Sequence, residues 1–207
     1  MTLRRLRQRL RGERGYSLVE MMIVLAMMGV VMGSLTTVFV AASNAELDMN
    51  NRFRAQLNAR IALDKLRNEV HCASAATPAG SASSVMLTLP SYCKTTGVST
   101  ASPCSSTAPC ATWCTRNVGT NRYALYRVVG ATCGTSGGTK WADYLVPSTA
   151  APTCGSPTAL CIFTYTAQSS SSLAKLHVDF PVDIKPTKTT ETYELVDDIV
   201  LRNSTRS

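Results

Sequence analysis

The stretch that decides the fold is residues 16–35, which read YSLVEMMIVLAMMGVVMGSL. The apolar character continues to Ala42, and Glu20 is the single charged residue in the run. About 20 apolar residues are enough for a helix to cross the hydrocarbon core of a bilayer, which is about 30 Å thick. The sequence therefore predicts a membrane-spanning helix near the N-terminus.

A basic leader precedes this run. Residues 1–15 contain six arginines and one glutamate, so they carry +5 of the formal net charge of +8. Cationic residues beside a span keep that end in the cytoplasm, and the residues beyond about 43 are therefore expected outside it. The remaining +3 is spread along the chain without a basic cluster, which argues against direct binding of nucleic acid.

Glu20 is costly in such a helix. A charge at mid-span costs roughly 2.5–3.5 kcal/mol on insertion scales. If the chain were cut between Gly15 and Tyr16, the new α-amino group of Tyr16, with an ordinary pKa of about 7.7–8.0, would be cationic and able to pair with Glu20. The sequence predicts that such a partner neutralises Glu20; the alternative is that Glu20 lies at the headgroup level, where a charge costs little.

The junction resembles the processing site of type IV prepilins and pseudopilins. The resemblance rests on a small residue at the cut, Gly15, an aromatic residue after it, Tyr16, and Glu20 as the fifth residue of the mature chain, followed by the long apolar helix. It implies that a prepilin peptidase cuts after Gly15 on the cytoplasmic side and N-methylates Tyr16. It also implies that the Tyr16 amine pairs with Glu20 of a neighbouring subunit in a filament. The family usually has Phe where Tyr16 stands.

Gly29 and Gly33 interrupt the apolar helix. Each glycine costs roughly 0.8–1.0 kcal/mol relative to alanine in a helix interior, but its small size permits close helix packing. In some members of the resembled family this stretch loosens in the filament, and Gly29 falls where they carry a glycine. In those members a proline often marks the C-terminal end of the loosened stretch, and in this chain Thr37 stands near that place. Helix flexibility and helix packing are therefore the two roles predicted for these glycines.

Two other interpretations of the N-terminus compete with a prepilin. A secretory signal could be cut at the small residues 40–42 or 43–45, but its apolar region normally has roughly 7–15 residues, and this one is longer. An uncleaved single-pass anchor explains the length but gives Gly15, Tyr16 and Glu20 no role.

The helical pattern continues beyond the span. Apolar residues recur at roughly helical spacing between Glu46 and Val70 at Leu47, Phe53, Leu57, Ile61, Leu66 and Val70. No proline interrupts residues 16–72, which would form a helix about 85 Å long at 1.5 Å per residue. We expect the second half to pack this apolar stripe against a globular head.

Eight cysteines follow the apolar run, at positions Cys72, Cys93, Cys104, Cys110, Cys114, Cys133, Cys154 and Cys161. An even number in an oxidising compartment predicts up to four disulfides, with the connectivity left open. Zinc binding is the rival interpretation, but no Cys-x-x-Cys pair occurs. No metal site is therefore predicted.

Strand-like runs alternate with polar loops in the rest of the chain. Candidate strands are Val85–Leu89, Tyr123–Val129, Trp141–Val146, Leu160–Thr166, Leu173–Ile184 and Thr192–Leu201. In the fifth, Leu176, Val178 and Phe180 alternate with His177 and Asp179, as in a half-buried antiparallel strand. Pro181 indicates an edge strand or a bulge there. The segment from Cys93 to Cys114 is predicted to be a loop held by disulfides, either facing a partner or without a role.

Catalytic motifs are lacking in the sequence: it has no Gly-x-Ser-x-Gly, phosphate-loop or His-Glu-x-x-His motif. His177 is predicted to be a surface or packing residue rather than a general base. Asp197 and Asp198 are adjacent on a predicted strand, so their side chains should point to opposite faces. No catalytic residues are predicted.

These features together predict an α+β, type IV pilin-like fold: a long N-terminal α-helical spine followed by an antiparallel β-sheet head with disulfide-stapled loops. The predicted boundaries are a cytoplasmic leader at 1–15, a transmembrane or filament-core helix at 16–43, its amphipathic continuation at 44–72 and an extracytoplasmic cysteine-rich head at 73–207.

The resemblance implies a minor pilin or pseudopilin, most similar to the W class or the J type, that assembles into, starts or caps a filament. The machine could serve type IV pili, type II secretion or DNA uptake. Expected partners are other pilin subunits, a prepilin peptidase, an inner-membrane assembly platform and the membrane, with no cofactor. The protein would be a single-pass membrane protein first and part of a cell-surface or periplasmic filament later. The alternatives are a membrane-anchored or secreted disulfide-rich binding module and, behind it, an exported enzyme.

Overall fold

The computed structural model describes residues 15–90, 92–93, 98–100, 104, 109–154, 159–185 and 192–204. The six leader arginines and part of the predicted loop between Cys93 and Cys114 lie outside these residues. The chain forms two units, residues 1–49 and 50–207, and each is described by itself. One helix, α1, runs from Leu18 to Cys72 without interruption.

The first unit contains the N-terminal part of α1. Every residue from Gly15 to Ala42 is exposed, as expected of a surface meant for lipid or for other chains. Its hydroxyl groups are satisfied within the helix: Ser34, Thr36 and Thr37 donate hydrogen bonds of 2.7–2.8 Å to main-chain carbonyls three or four residues earlier. Polar groups bonded in this way cost less in hydrocarbon than unpaired ones.

The second unit combines the C-terminal part of α1 with nine described strands. Their bounds are β1 Ala75–Thr77, β2 Gly80–Ala82, β3 Ser84–Thr88, β4 Cys110–Gly119, β5 Arg122–Val129, β6 Thr139–Leu145, β7 Phe163–Thr166, β8 Lys175–Val182 and β9 Tyr193–Val200. All pairings among these strands are antiparallel, in the order β1-β3-β4-β5-β6-β8-β7-β2, and β9 pairs with β8. The predicted α+β, pilin-like architecture is confirmed.

The sheet curves back on itself. β1 and β2 stand at opposite ends of the strand order, yet only Pro78 and Ala79 separate them in the chain. Two residues span on the order of 10 Å at most, so the two ends of the sheet must approach each other. The curved sheet and the C-terminal part of α1 enclose one apolar core.

The helix contacts this core through a face different from the one predicted. The buried residues of α1 are Ala55, Ala59, Ala62, Leu63, Leu66, Glu69 and Val70. Leu66 and Val70 agree with the prediction, whereas Leu47, Phe53, Leu57 and Ile61 are exposed, so for them it was wrong. The alanines also recur at helical spacing, and their small side chains let the helix backbone approach the sheet closely.

Strand β4 corrects a second prediction, because Cys110–Cys114 was expected to be loop and is instead the buried start of a central strand. Side chains alternate across the sheet, so Ala111 and Trp113 share one face and Cys110 and Cys114 the other. Trp113 enters the core. The cysteines bond to Cys104 and Cys133, and residues 110–115 are buried on both faces of the strand, although composition alone left one face open to solvent.

Strand β8 corrects a third prediction. It has neighbours on both sides, with β9 along its whole length on one side and β7 followed by β6 on the other. Pro181 therefore lies in an interior strand, at the place where the neighbour changes from β7 to β6, and its carbonyl accepts a hydrogen bond of 2.9 Å from the Val146 amide. The missing N–H is tolerated where the ladder changes partner.

The alternation predicted for β8 holds for its apolar side chains but not for Asp179. Leu176, Val178 and Phe180 are fully buried. Asp179 was grouped with the polar, outward-facing residues, yet it is only 2% exposed. The second face of this strand is therefore covered at Asp179 and Pro181, although not at Lys175 and His177, and the sequence pattern did not indicate this.

Candidate functional site

The junction predicted for processing lies just before α1. Gly15, Tyr16 and Ser17 have no regular secondary structure, the helix begins at Leu18, and the Met21 amide donates to the Ser17 carbonyl at 3.1 Å. Tyr16 is 78% exposed. A Cβ added to Gly15 would meet no described atom within 4 Å. Nothing in the described chain therefore requires glycine here, so a demand for a small residue would come from an enzyme that binds this segment.

Glu20 lies in the first turn of α1 and is exposed. A carboxylate at this end of a helix interacts favourably with the helix dipole, by about 0.3–1 kcal/mol. Within the described residues Glu20 has no hydrogen bond or ion pair. The amine predicted as its partner does not exist while Gly15 is joined to Tyr16, so that pair could form only after cleavage.

The helix that follows has the properties of a membrane span. Among the described residues, α1 is the one helix long and apolar enough to cross a bilayer, with a mean hydropathy of 2.2 over its most apolar 18 residues. None of those 18 residues is buried. Cβ atoms added to Gly29 or Gly33 would meet no described atom within 4 Å, so neither glycine serves packing inside this chain.

A buried ion pair joins α1 to the sheet near the end of the helix. The Glu69 carboxylate is 1% exposed and accepts hydrogen bonds from Arg127 Nε, at 2.9 and 3.0 Å, and from Trp113 Nε1, at 2.8 Å. Lys65 Nζ lies 3.3 Å from the same carboxylate. Arg127 is on β5 and Trp113 on β4, so one side chain of the helix holds two strands. The sequence analysis did not identify Glu69.

Four disulfides hold the loops of the head, which confirms the disulfide-stapled prediction. The pairs are Cys72–Cys93, Cys104–Cys110, Cys114–Cys133 and Cys154–Cys161, and no cysteine is free. Cys72 is the last residue of α1, so its disulfide ties the helix end to the loop after β3. Each loop of about 20 residues closed in this way stabilises the fold by roughly 3 kcal/mol in the chain-entropy model.

A charged cluster lies where β5 and β6 pair irregularly. Asp143 accepts hydrogen bonds from Arg122, at 2.8 and 3.0 Å, and from Lys140, at 2.9 Å. Burial raises the pKa of Asp143, but the hydrogen bonds from Arg122 and Lys140 outweigh it and hold the pKa below its ordinary value. The next residue, Tyr144, has a φ of 62°, which is uncommon outside glycine, and the Arg122 guanidinium stacks on its ring.

His177 and the adjacent Asp197 and Asp198 form contacts on the surface of the sheet and between β9 and α1. His177 Nδ1 lies 2.7 Å from Asp198 Oδ1, and Lys175 donates to the other oxygen of Asp198 at 3.1 Å. Asp197 points the other way and pairs with Arg67 of α1 at 2.9 Å, as the predicted opposite orientation requires. In the described part of the chain, no three His, Cys, Asp or Glu side chains are arranged to hold a metal ion.

Comparison with known proteins gives one match, at the N-terminus. The model of the prokaryotic N-terminal methylation motif matches residues 10–36, which include the Gly15–Tyr16 junction, Glu20, Gly29 and Gly33. No curated protein and no solved structure gives a significant match to the chain. The match confirms the resemblance to prepilin-type signals, and its described residues, 15–36, are all exposed.

Proposed function

We propose that this chain, whose residues 10–36 match the prokaryotic N-terminal methylation motif, is a pilin- or pseudopilin-like precursor that matures into a minor subunit of a type IV pilus-like filament. The observation that carries the proposal is the Gly15–Tyr16 junction within this motif, which stands directly before the exposed apolar part of an uninterrupted helix. The motif favours a structural subunit over an enzyme.

In the proposed maturation, a prepilin peptidase removes the leader 1–15 and methylates Tyr16. Residues 16–43 hold the protein in the inner membrane until an assembly platform moves it into the filament. Residues 44–72 continue the spine, and residues 73–207 form the exported head. Four disulfides in the head suit an oxidising compartment, which supports this orientation.

The proposed assembly contact joins Glu20 of one subunit to the Tyr16 amine of its neighbour. Glu20 has no partner in the described chain, and a carboxylate moved into hydrocarbon needs one. The small N-terminal ammonium, free only after cleavage, would meet this need and fix the axial position of each subunit. Gly29 and Gly33 would then let neighbouring helices approach closely, because neither packs within its own chain.

The proposal of a minor rather than a major subunit rests on the head. A curved sheet of nine described strands with long disulfide-linked connections resembles the layout of W-class minor pilins and J-type pseudopilins more than a compact major pilin. Such a subunit would start or cap a filament that serves piliation, type II secretion or DNA uptake. Its copy number relative to other pilins in purified filaments tests this part of the proposal.

The experiment that tests precursor processing is the intact mass and N-terminal sequence of the protein extracted from the membranes of its host. We expect the chain to begin at N-methylated Tyr16. A Gly15→Leu variant is the matched control, and it should retain the leader while inserting normally. A wild-type chain that begins at Met1, Thr2, Ser43 or Glu46 would contradict the proposal.

A further inference from the structure

A groove in the second unit lies between α1 and β6, and we call it the α1–β6 groove. Its volume is about 390 Å³, within the range of about 300–1,000 Å³ that is typical of small-molecule sites. Asn51, Arg54, Ala55 and Asn58 of α1 line it. The three polar residues are spaced by three and four positions, so one side of the helix forms one wall of the groove.

The opposite wall is an irregular stretch of β6. In a regular strand, successive side chains point to opposite faces, so only alternate residues face one groove. Here the pairing of β5 with β6 shifts register on both sides of Leu125, Tyr144 has a φ of 62°, and all of residues 140–144 line the groove. Register shifts that redirect side chains and non-glycine residues with positive φ are both concentrated at functional sites.

The charged groups at the α1–β6 groove are mostly cationic. Asp143 accepts four hydrogen bonds of 2.7–3.0 Å, two from Arg122, one from Lys140 and one from the Tyr144 amide, which is the capacity of a carboxylate. Lys140 has three N–H donors and uses one on Asp143, and this bond raises the pKa of Lys140. Arg54 is exposed and forms no hydrogen bond or ion pair with the described residues.

The other carboxylates near Arg54 are either engaged or distant. Asp48, six residues earlier on α1, already interacts with another described residue. Glu46 and Asp64 lie eight and ten residues from Arg54, more than two helical turns away in either direction. Asp183 lines a different, smaller cavity. An excess of positive charge therefore remains in the α1–β6 groove.

We propose that the α1–β6 groove binds a sugar that carries a carboxylate, a hexuronate being the simplest example. Arg54 and Lys140 bind the carboxylate through charge-assisted hydrogen bonds. The amides of Asn51 and Asn58 form no hydrogen bond with the described residues, and an amide both donates and accepts, as sugar hydroxyls require. Trp141 supplies an aromatic surface for the apolar face of the sugar ring.

Other small ligands fit this set of groups less well. A phosphate ion would pair with the cations, but it has no apolar face for Trp141 and would fill little of the groove. A neutral sugar would leave the charge of Arg54 without a partner. The proposed binding goes beyond the filament function and does not depend on cleavage at Gly15, because every group that carries it lies in the second unit.

Saturation-transfer NMR tests this binding by observing the protons of the ligand. The protein is the full chain with its disulfides intact, held in a polyoxyethylene detergent, because a maltoside detergent carries sugar groups of its own. A ligand of about 13 non-hydrogen atoms with ordinary ligand efficiency has a dissociation constant on the order of 1 mM. We expect saturable transfer to D-glucuronate in that range and binding of D-glucose, which lacks the carboxylate, to be at least about tenfold weaker.

Matched variants assign the binding to the α1–β6 groove. Arg54→Gln should weaken glucuronate binding at least about fivefold, because it removes a charge-assisted bond, and Arg202→Gln, at an exposed arginine near the C-terminus, should leave it unchanged. Asn58→Ala should weaken it at least about threefold, whereas Asn50→Ala, at an exposed residue outside the groove, should not.

Four results would overturn the inference. These are no saturable transfer to glucuronate up to about 20 mM, equal binding of glucose, displacement of glucuronate by an equal concentration of inorganic phosphate, and an Arg54→Gln variant that binds as tightly as the parent chain. The N-terminus of the same sample reports processing separately. A chain that begins at methylated Tyr16 but binds no glucuronate would leave the proposed filament function standing.

Discussion

Two glutamates on the same helix contrast sharply. Glu69, in the second unit, is buried, and its carboxylate is bound by Arg127, Trp113 and Lys65 of its own chain. Glu20, in the first unit, is exposed in an apolar segment and has no partner among the described residues. One carboxylate therefore completes the fold of the second unit, whereas the other forms no hydrogen bond or ion pair with the described residues, which leaves it available for the proposed pairing with a neighbouring subunit.

The largest effect is expected when the Glu20 carboxylate is removed. Glu20→Ala should lower incorporation into filaments at least about tenfold, because losing an ion pair worth about 1.4 kcal/mol or more changes an equilibrium by that factor. Membrane insertion and the thermal stability of the head should stay unchanged. The measurement is a quantitative immunoblot of sheared filaments and of membranes. Glu46→Ala, on the same helix, is the control, and equal incorporation of both variants would refute the assigned role.

Glu69 should show the opposite behaviour. Glu69→Ala removes the carboxylate to which the buried Arg127 and Trp113 donate, and removing one partner of a buried ion pair typically costs about 3–5 kcal/mol. We expect the unfolding temperature of the full chain in detergent to fall by many degrees. Asp64→Ala, which removes an exposed pair with Arg67, is the control and should cost less than about 1 kcal/mol. If both variants were equally stable, Glu69 would not be holding helix and sheet together.

Asp179 sharpens the comparison because it is buried without the partners that Glu69 has. Neither of its carboxylate oxygens has a hydrogen-bond partner among the described residues, and burial raises its pKa. A carboxyl group with a raised pKa binds its proton more tightly in the folded protein than in the unfolded chain. The protein therefore loses stability as the pH rises from the unfolded pKa of about 3.9 through the raised folded value.

Asp179→Asn should therefore raise the unfolding temperature at pH 7 and have a smaller effect at pH 4. Calorimetry at the two pH values measures the difference. The neighbouring exposed residue His177, changed to Gln, controls for a general effect on β8. A variant that is less stable than the parent at pH 7 would show that the Asp179 carboxylate is stabilised by a partner.

The smallest effect is expected at Asp198. The hydrogen bonds from His177 and Lys175 hold the pKa of Asp198 below its ordinary value, but all three side chains are about half exposed to solvent. Exposed pairs are screened by solvent, so Asp198→Asn should change the free energy of unfolding by less than about 0.5 kcal/mol. What stability the pair provides should disappear as the pH falls through the lowered pKa, and a urea titration at pH 7 measures it. If Asp198→Asn lowered the free energy of unfolding by more than about 2 kcal/mol, Asp198 would contribute to stability as a buried pair like that of Glu69 does.

The sequence predicts most reliably the features that depend on neighbouring residues. The span and the junction around Gly15, Tyr16 and Glu20 follow from composition and order alone, and strands β5, β6 and β9 follow from runs of β-branched and aromatic residues. In contrast, β4 was missed because its outer face is buried through contacts with residues distant in the sequence, among them the disulfide from Cys114 to Cys133.

The choice of the packed helix face shows a second limit. Two sets of residues in α1 have helical spacing, and hydrophobicity favours the larger side chains of Phe53, Leu57 and Ile61 over alanine as the packed set. The close approach of the helix backbone to the curved sheet reverses that preference. This approach depends on strands that are distant in the sequence, so local spacing does not reveal it. Glu69 had one local signal, its position between Leu66 and Val70 on the buried face, but its partners on β4 and β5 cannot be found from spacing.

The disulfide between Cys72 and Cys93 also determines how the subunit transmits force. It closes a covalent ring that contains β1, β2 and β3, because all three strands lie between the two cysteines. A pull on the helix passes through the sulfur atoms directly to Cys93 and does not stretch the chain inside the ring. These three strands are therefore shielded from tension along the backbone, and reduction of this one bond would add about 20 residues to the length that an applied force can extend.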